Sequence, residues 1–358
     1  MSNNPLFSVV LPSYGVEKYL EKAVDSILSQ SFSDFEIIIV DDASPDSVGK
    51  TADRLAKENA CIRVIHHEKN LGLSEARNSG LRVATGSYVF FMDPDDVIEP
   101  TLLEEVKASL DIQQSQVVMF ALTEDYLDAD GVLRNRVTVK HSDNTLFLDS
   151  EEKIRSQVIY LEKNTMLGYA WNKIYSREYL QKIGATFETV EFIEDIAFNV
   201  EVFRHLSSLT VLSSPLYHYI KRVNKGLTSK YSENFYPVHK RRVEMLFEEH
   251  REWDMCSKEV TDILAGEYAR FIFSAVQRSF SKQADINGRQ RREFILSIFD
   301  DELYKTLIPP AETENKAVKL MLFILKRRSV FLLSLSCRIL NFTKSFSPAF
   351  FSKIKQNR

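Results

Sequence analysis

The sequence predicts an α/β fold, a mostly parallel sheet with helices on both faces, followed by a C-terminal helical extension. Two observations predict it. Across the first hundred residues, short apolar runs alternate with segments of helical spacing, the signature of successive βαβ units. Polar clusters then fall at the ends of the apolar runs, which is where open parallel sheets bind ligands.

The elements follow in order. Phe7–Leu11 reads as a strand ending at Pro12. Tyr19–Gln30 is helical, with Leu20, Ala23, Val24, Ile27 and Leu28 on one face. Phe35–Val40 is a second strand and Val48–Asn59 a second helix. Ile62–Ile65 is a short third strand, Leu73–Ala84 a third helix and Ser87–Met92 a fourth strand. Beyond about residue 115 the alternation loosens. Val117–Phe120 and Leu133–Lys140 read as strands around a turn at Asp130-Gly131, and Ser150–Tyr160 and Ile193–Leu206 as helices. From Val238 the chain reads as mostly helix, through Val260–Ser279 and Arg289–Phe299, with Pro309-Pro310 before a basic tail.

Composition narrows the function. The chain has 358 residues and a net charge of -4, which argues against a dedicated nucleic-acid binder. Cys61, Cys256 and Cys337 lie far apart without metal-site spacing and fit a reduced compartment. The segment Met1–Pro5 lacks a basic n-region, and the apolar run after it is short for a signal peptide, so a cytoplasmic protein is expected. Charge is unevenly spread. Residues 315–358 hold no Asp or Glu but ten Lys and Arg, from Lys316 to Arg358, interleaved with Leu320–Leu325 and Val330–Leu333. A basic amphipathic tail of this kind reads as a surface lying on anionic lipid, or as a helix packed on the body with solvated lysines.

Asp93-Pro94-Asp95-Asp96 closes the fourth strand. It reads either as an acidic turn cornered by Pro94 or as a cation site, because carboxylates so crowded repel one another. An EF-hand does not fit, since Val97 and Ile98 stand where that loop needs a ligand and a glycine. The second strand ends in Asp41-Asp42-Ala43-Ser44 and the first in Pro12-Ser13-Tyr14, so three clusters converge on one crevice.

Several short motifs follow one another in order. They are Leu11-Pro12-Ser13-Tyr14, Tyr19-Leu20, Ser26–Gln30, Ile38-Ile39-Val40-Asp41-Asp42-Ala43-Ser44-Pro45-Asp46, Asn70-Leu71-Gly72, Ala76-Arg77-Asn78-Ser79-Gly80 and Met92-Asp93-Pro94-Asp95-Asp96. Together they resemble the nucleotide-binding half of a family 2 glycosyltransferase of the GT-A fold, of the type that builds bacterial surface polysaccharide or teichoic acid. The likeness is dense over about residues 6–110. It continues sparsely through Trp171-Asn172-Lys173, Glu194-Asp195 and Tyr217-His218-Tyr219 to Arg222. Gly15 replaces a usual asparagine, Pro94 a frequent serine, and Leu73 a frequent second glycine.

The resemblance implies roles. Pro12, Tyr14, Asp41, Asp42, Arg77, Asp93 and Arg222 are expected around the nucleotide of a UDP-sugar. Asp42 would accept from the uracil imide and Tyr14 would line the ring. The Asp-x-Asp pair, Asp95 with Asp93, is expected to hold Mn²⁺ or Mg²⁺ against the leaving diphosphate, with His218 as a weaker candidate ligand. The Tyr-x-Tyr-x-x-Arg element places Arg222, with Lys221 beside it, toward the diphosphate. Asp195, with Glu194 beside it, marks the catalytic base of a single inverting displacement; by local sequence alone the pair reads as ordinary helix N-terminal acids. Trp171 and Asn172 are expected to line the acceptor.

The expected whole is an inverting, metal-dependent glycosyltransferase that moves a sugar from a UDP-sugar to a glycan acceptor, expected to be lipid-linked, at the inner membrane face. Its parts are a donor-binding half at 1–115, an acceptor and catalytic half at 116–236, a helical region at 237–310 and a membrane-associating tail at 311–358. The rivals are a nucleotidyltransferase, disfavoured because Pro12–Val16 is no phosphate loop, and a catalytically silent sugar-nucleotide-binding module that docks a membrane.

Overall fold

A computed structural model of the protein describes residues 4–189, 193–222 and 233–346, without the side chains of Lys282 and residues 343–346. Glu191-Phe192, Thr228-Ser229 and the end of the tail from residue 347 lie outside the described residues. The chain divides into two compact units, residues 1–226 and 227–358.

The first unit begins as its sequence predicts. β1 (Phe7–Ser13), α1 (Glu17–Leu28), β2 (Phe35–Asp41), α2 (Val48–Glu58), β3 (Ile62–His66), α3 (Leu73–Val83) and β4 (Tyr88–Phe91) alternate. The sheet order over this part is β3-β2-β1-β4, all parallel. Alternate residues of β1 face opposite ways. Phe7, Val9 and Leu11 join Leu20, Val24 and Ala52 in one core, while Val10 meets α3 on the other face. There a Cβ on Gly80 would stand 2.3 Å from Val10 Cγ1, so only glycine lets α3 sit this close to the sheet.

Next come β5 (Val97–Ile98), α4 (Leu102–Ile112), β6 (Val117–Leu127), β7 (Leu133–Val139), β8 (Leu146–Leu148) and α5 (Glu151–Lys163). β9 (Lys173–Ser176), α6 (Arg177–Ile183), α7 (Glu194–Arg204) and β10 (Leu209–Arg222) complete the unit. β9 lies antiparallel between β4 and β6, and β10 runs parallel to β6. Hence β1, β2, β3, β4, β6 and β10 share one direction, and the fold class is as expected. The direction of β9 matters functionally: it places Trp171-Asn172-Lys173 at the edge where β1 to β4 end.

Six elements of the first unit escape the periodicity reading, the short β8 and α6 among them. β5 has two residues, and β9 opens on a fully buried lysine. α4 packs Leu102, Leu103, Val106 and Leu110, and its start signal, Thr101 with Glu104 three residues on, is one the sequence reading missed. β10 is the longest strand, yet its register slips on either side of Pro215, which breaks the alternation that would announce it.

The second unit is helical: α8 (Phe235–Glu252), α9 (Lys258–Arg278), α10 (Gly288–Asp300), α11 (Glu302–Leu307), α12 (Lys316–Lys326) and α13 (Val330–Phe346). The central helix is α9, against which α8, α11, α12 and α13 pack. Leu264, Ile272, Ile298, Leu322, Leu333 and Cys337 are buried there. No helix among the described residues is long and apolar enough to cross a membrane. All three cysteines are free.

Candidate active site

Asp41 and Asp42 sit where β2 delivers them. Asp42 accepts N–H bonds from Leu71 and Gly72, each at 2.8 Å, and contacts His67 Nδ1 at 2.7 Å. It is 2% exposed. Both carboxylate oxygens are engaged in ordering the loop 67–72, a task the sequence reading did not foresee. Asp41 likewise accepts from Ser44 N at 2.9 Å and contacts His66 Nδ1 at 3.0 Å. Pro12 is buried in β1 opposite Val40. Tyr14, by contrast, is 51% exposed and offers an open ring face. The loops after β1 and β2 are joined to each other, Gly15 N donating to Ser44 Oγ at 2.8 Å and Glu17 N to Asp46 at 3.0 Å.

The three carboxylates after β4 divide their work. Asp96 is internal. It accepts from Tyr217 Oη at 2.8 Å and from Ile220 N at 2.7 Å, so it ties the turn to the end of β10. Burial, then the charges of Asp95 and Asp93, push its carboxyl well above the ordinary range. Asp95 accepts from Arg222 Nη1 at 2.8 Å, while Arg222 Nη2 reaches the Asp95 carbonyl at 2.7 Å. Asp93 accepts from Arg77 Nη2 at 3.2 Å. Burial pushes Asp93 up to about 7; Arg77 opposes the rise, and Asp195 and Asp95 add to it.

Arg77 joins the cluster to the candidate base. On α3, its guanidinium is 1% exposed and contacts Asp93 and Asp195 together. Burial works against its charge, but Asp195, Asp93 and Glu194 outweigh burial and hold it above an ordinary arginine. Its Nε has no hydrogen-bond partner among the described residues, and its guanidinium carbon lies 5.1 Å from the centre of the Phe187 ring. Asp195 stands in the first turn of α7, and its other oxygen accepts from Ala170 N at 3.0 Å.

Three expectations are corrected. His218 contacts Thr123 Oγ1 at 2.9 Å, Asp125 at 3.1 Å and Glu99 at 2.7 Å. These three partners hold its ring, and neither Asp93 nor Asp95 is among them. Trp171 is 3% exposed, stacked 4.4 Å from Tyr169 and 4.5 Å from Tyr217. Asn172 is fully buried, donating to Met166 O at 3.0 Å. Neither can line an acceptor. The partly exposed rings of that column are Tyr169 and Tyr219, which the sequence reading missed. Lys221 is paired with Glu124 at 2.6 Å.

A divalent cation fits the chemistry of this turn. Asp93 and Asp95 are hard oxygen donors, partly exposed, both raised above ordinary aspartates by burial. Among the described residues no third Asp, Glu, His or Cys joins them in a complete metal cage. The donor set thus leaves coordination positions for a ligand's oxygens. Beside it opens a cleft of about 380 Å³ lined by Tyr19, Lys22, Asp95, Asp128 and Arg222.

A parallel sheet whose strand ends gather an Asp-x-Asp turn, a buried arginine and a helix-borne aspartate defines a GT-A nucleotide-sugar enzyme class. Residues 8–184 match the model of Glycosyl transferase family 2, and that segment of the chain belongs to the family. Among curated relatives it is 33% identical over 221 residues to the uncharacterized glycosyltransferase EpsJ of Bacillus subtilis, covering 62% of each chain. It is 28% identical over 239 residues to the poly(ribitol-phosphate) beta-N-acetylglucosaminyltransferase TarS of Staphylococcus aureus, covering 65% of this chain and 39% of TarS. The matched segment thus spans less than two thirds of either relative. The crystal structure of S. aureus TarS 1-349 with UDP-GlcNAc superposes with a TM-score of 0.63 at 22% identity, over 93% of this chain and 91% of that one. That likeness extends to the GT-A fold.

Proposed function

We propose that the protein is an inverting, metal-dependent glycosyltransferase that moves a sugar from a UDP-sugar to a hydroxyl of a glycan acceptor in cell-surface polysaccharide synthesis. The observation that carries this reading is the single Arg77 guanidinium held between Asp93 and Asp195. It joins the donor-side turn to a carboxylate on a different element. The names of TarS and of the other glycosyltransferases support a UDP-sugar donor and a wall-polymer setting.

Each residue then has a task. Tyr14 stacks on the base, over the loops ordered by Asp41 and Asp42. Asp95 and Asp93 would hold Mn²⁺ or Mg²⁺, which when bound supplies Lewis-acid neutralisation of the departing diphosphate. Arg222, next to Asp95, adds a second positive charge there. The acceptor oxygen attacks the anomeric carbon opposite the diphosphate, that carbon–oxygen bond breaks, and the acceptor proton passes to Asp195. Glu194 shapes the field at the base. Tyr169 and Tyr219 offer ring faces to the acceptor.

Residues 1–115 serve the donor and 116–236 the acceptor and base, with helices over 237–310. The segment 311–358 docks on anionic lipid at the inner face of the membrane, where a lipid-linked acceptor would be presented. Charge complementarity supports that docking. Exposed Phe331, Leu335, Ile339 and Phe342 form one face of α13, and exposed Lys316, Lys319, Lys326 and Arg327 belong to the same acid-free stretch.

One assay tests the core reading. A panel of nucleotide sugars is supplied with Mn²⁺, with and without chelator, and nucleotide release is followed for the native protein and Asp195→Asn. Release from one donor is expected, lost with chelator and with the substitution. Metal-independent release or an active Asp195→Asn would overturn the mechanism.

A further inference from the structure

Lys173 is a buried cation that the chemistry above does not use. It opens β9 and is fully buried. Its ammonium donates to Met166 O at 2.9 Å, Leu167 O at 3.0 Å, Tyr169 O at 2.5 Å and Asn172 Oδ1 at 2.8 Å. Four neutral oxygens thus surround three protons. Burying an ammonium this way costs several kcal/mol more than an apolar side chain of the same length. Desolvation accordingly pulls its pKa well below an ordinary lysine, opposed by the charges of Asp195 and Glu162.

The oxygens it gathers belong to one turn. Asn199 Nδ2 adds a donor to the Tyr169 carbonyl at 3.1 Å, and Asn172 Nδ2 adds one to that of Met166 at 3.0 Å. With the carbonyls of 166, 167 and 169 drawn inward to one point, the next amide, Ala170 N–H, is left facing Asp195 at 3.0 Å. Two fixed donors meet Asp195: the Arg77 guanidinium and this amide. An ammonium suits the task because it is a compact point charge with three donors, which a planar guanidinium is not.

We propose that Lys173 is a positioning residue for the base: its ammonium folds the 166–170 turn so that the Ala170 amide fixes the orientation of the Asp195 carboxylate. Lys173 touches neither donor nor acceptor and acts through that amide alone. The proposal rests on Asp195 being the base. A misplacement of about 1 Å at a reacting group costs on the order of a hundredfold in rate.

The test compares native protein, Lys173→Met and Asp195→Asn in the nucleotide-release assay, with UDP binding by calorimetry and thermal melts as controls of folding. Lys173→Met is expected to lower kcat by about 10- to 100-fold while the donor KM and the Kd for UDP stay within about twofold. A Lys173→Met protein that folds and keeps native kcat, or that loses donor affinity with kcat intact, overturns the proposal. Should Lys173→Met not fold, Ala170→Pro removes the N–H that meets Asp195, while also fixing φ at a buried position, so its melt is read beside its rate. It must then show the same selective loss of kcat, and native kcat in that variant overturns the proposal equally. An active Asp195→Asn is a different failure, that of the mechanism itself.

Discussion

Arg222 donates to Asp95 Oδ2 at 2.8 Å from 127 residues further along the chain. The Tyr19 ring lies 4.0 Å from the same guanidinium carbon. The arginine thus stands as an internal counter-ion on the residue expected to face a metal.

Arg222→Met releases Asp95 from that partner while removing a positive charge meant for the diphosphate. Mn²⁺ binding without nucleotide is expected to tighten by about threefold to tenfold, the scale of one partly exposed ion pair. With UDP present, Mn²⁺ should bind more weakly to the variant than to the native protein. Calorimetric titration with and without UDP reads both, and unchanged affinity in both conditions would remove Arg222 from the site.

Arg77→Lys tests the bridge. One ammonium cannot reproduce a fork that meets Asp93 and Asp195 together. The loss leaves buried carboxylates short of a partner, which costs about 3 kcal/mol of stability. Activity should fall at least about a hundredfold, even in protein still folded at the assay temperature. Thermal melts and kcat separate the two effects; a fully active Arg77→Lys would show that only charge matters there.

The position of Asp93 makes a pH dependence. Its carboxyl is pushed up to about 7, so between the ordinary aspartate value and 7 the folded protein binds a proton that the unfolded chain does not. Stability from this group is therefore present at low pH and lost as pH rises from about 4 through 7. The loss is on the order of 2 kcal/mol after allowance for the partial exposure of Asp93. Melts at pH 5 and pH 8 should show the difference, Asp93→Asn should abolish it, and Mn²⁺ with UDP should shrink it. Equal slopes for native protein and Asp93→Asn would dismiss the effect.

Phe331, 72% exposed, and Phe342, 63% exposed, project from the outward face of α13. Co-sedimentation with phosphatidylglycerol-containing vesicles should succeed, weaken sharply for Phe331→Asp/Phe342→Asp, and fail with phosphatidylcholine alone. Binding that ignores both substitutions would locate the lipid contact elsewhere, and self-association without lipid would make this face a contact between copies.

The parallel half of the sheet was legible because its strands are mainly apolar and α1 and α2 each carry one buried stripe. Asp93, Asp95 and Asp195 could be named from motif order alone. The errors came where the outcome depends on the phase of alternation. His218 and Tyr217 are adjacent, and only the register of β10 decides which meets Asp96. Trp171 reads equally as a sugar platform and as a core ring, and its sandwich between Tyr169 and Tyr217 is a fact of the third dimension. The partners of Asp42, His67 and the amides of 71 and 72, lie on a loop whose path no periodicity announces. Lys173 stood beside two residues singled out for attention, yet nothing in sequence separates a caged ammonium from a solvated one.

Gly80 follows Arg77 by three residues, close to one helical turn of α3. Its bare Cα against Val10 acts as a spacer of fixed thickness between helix and sheet. A single methyl group at that contact would push the helix outward, and the guanidinium one turn away would ride with it, leaving both of its carboxylates. The reach of Arg77 is therefore gauged at a point that neither donor nor acceptor ever touches.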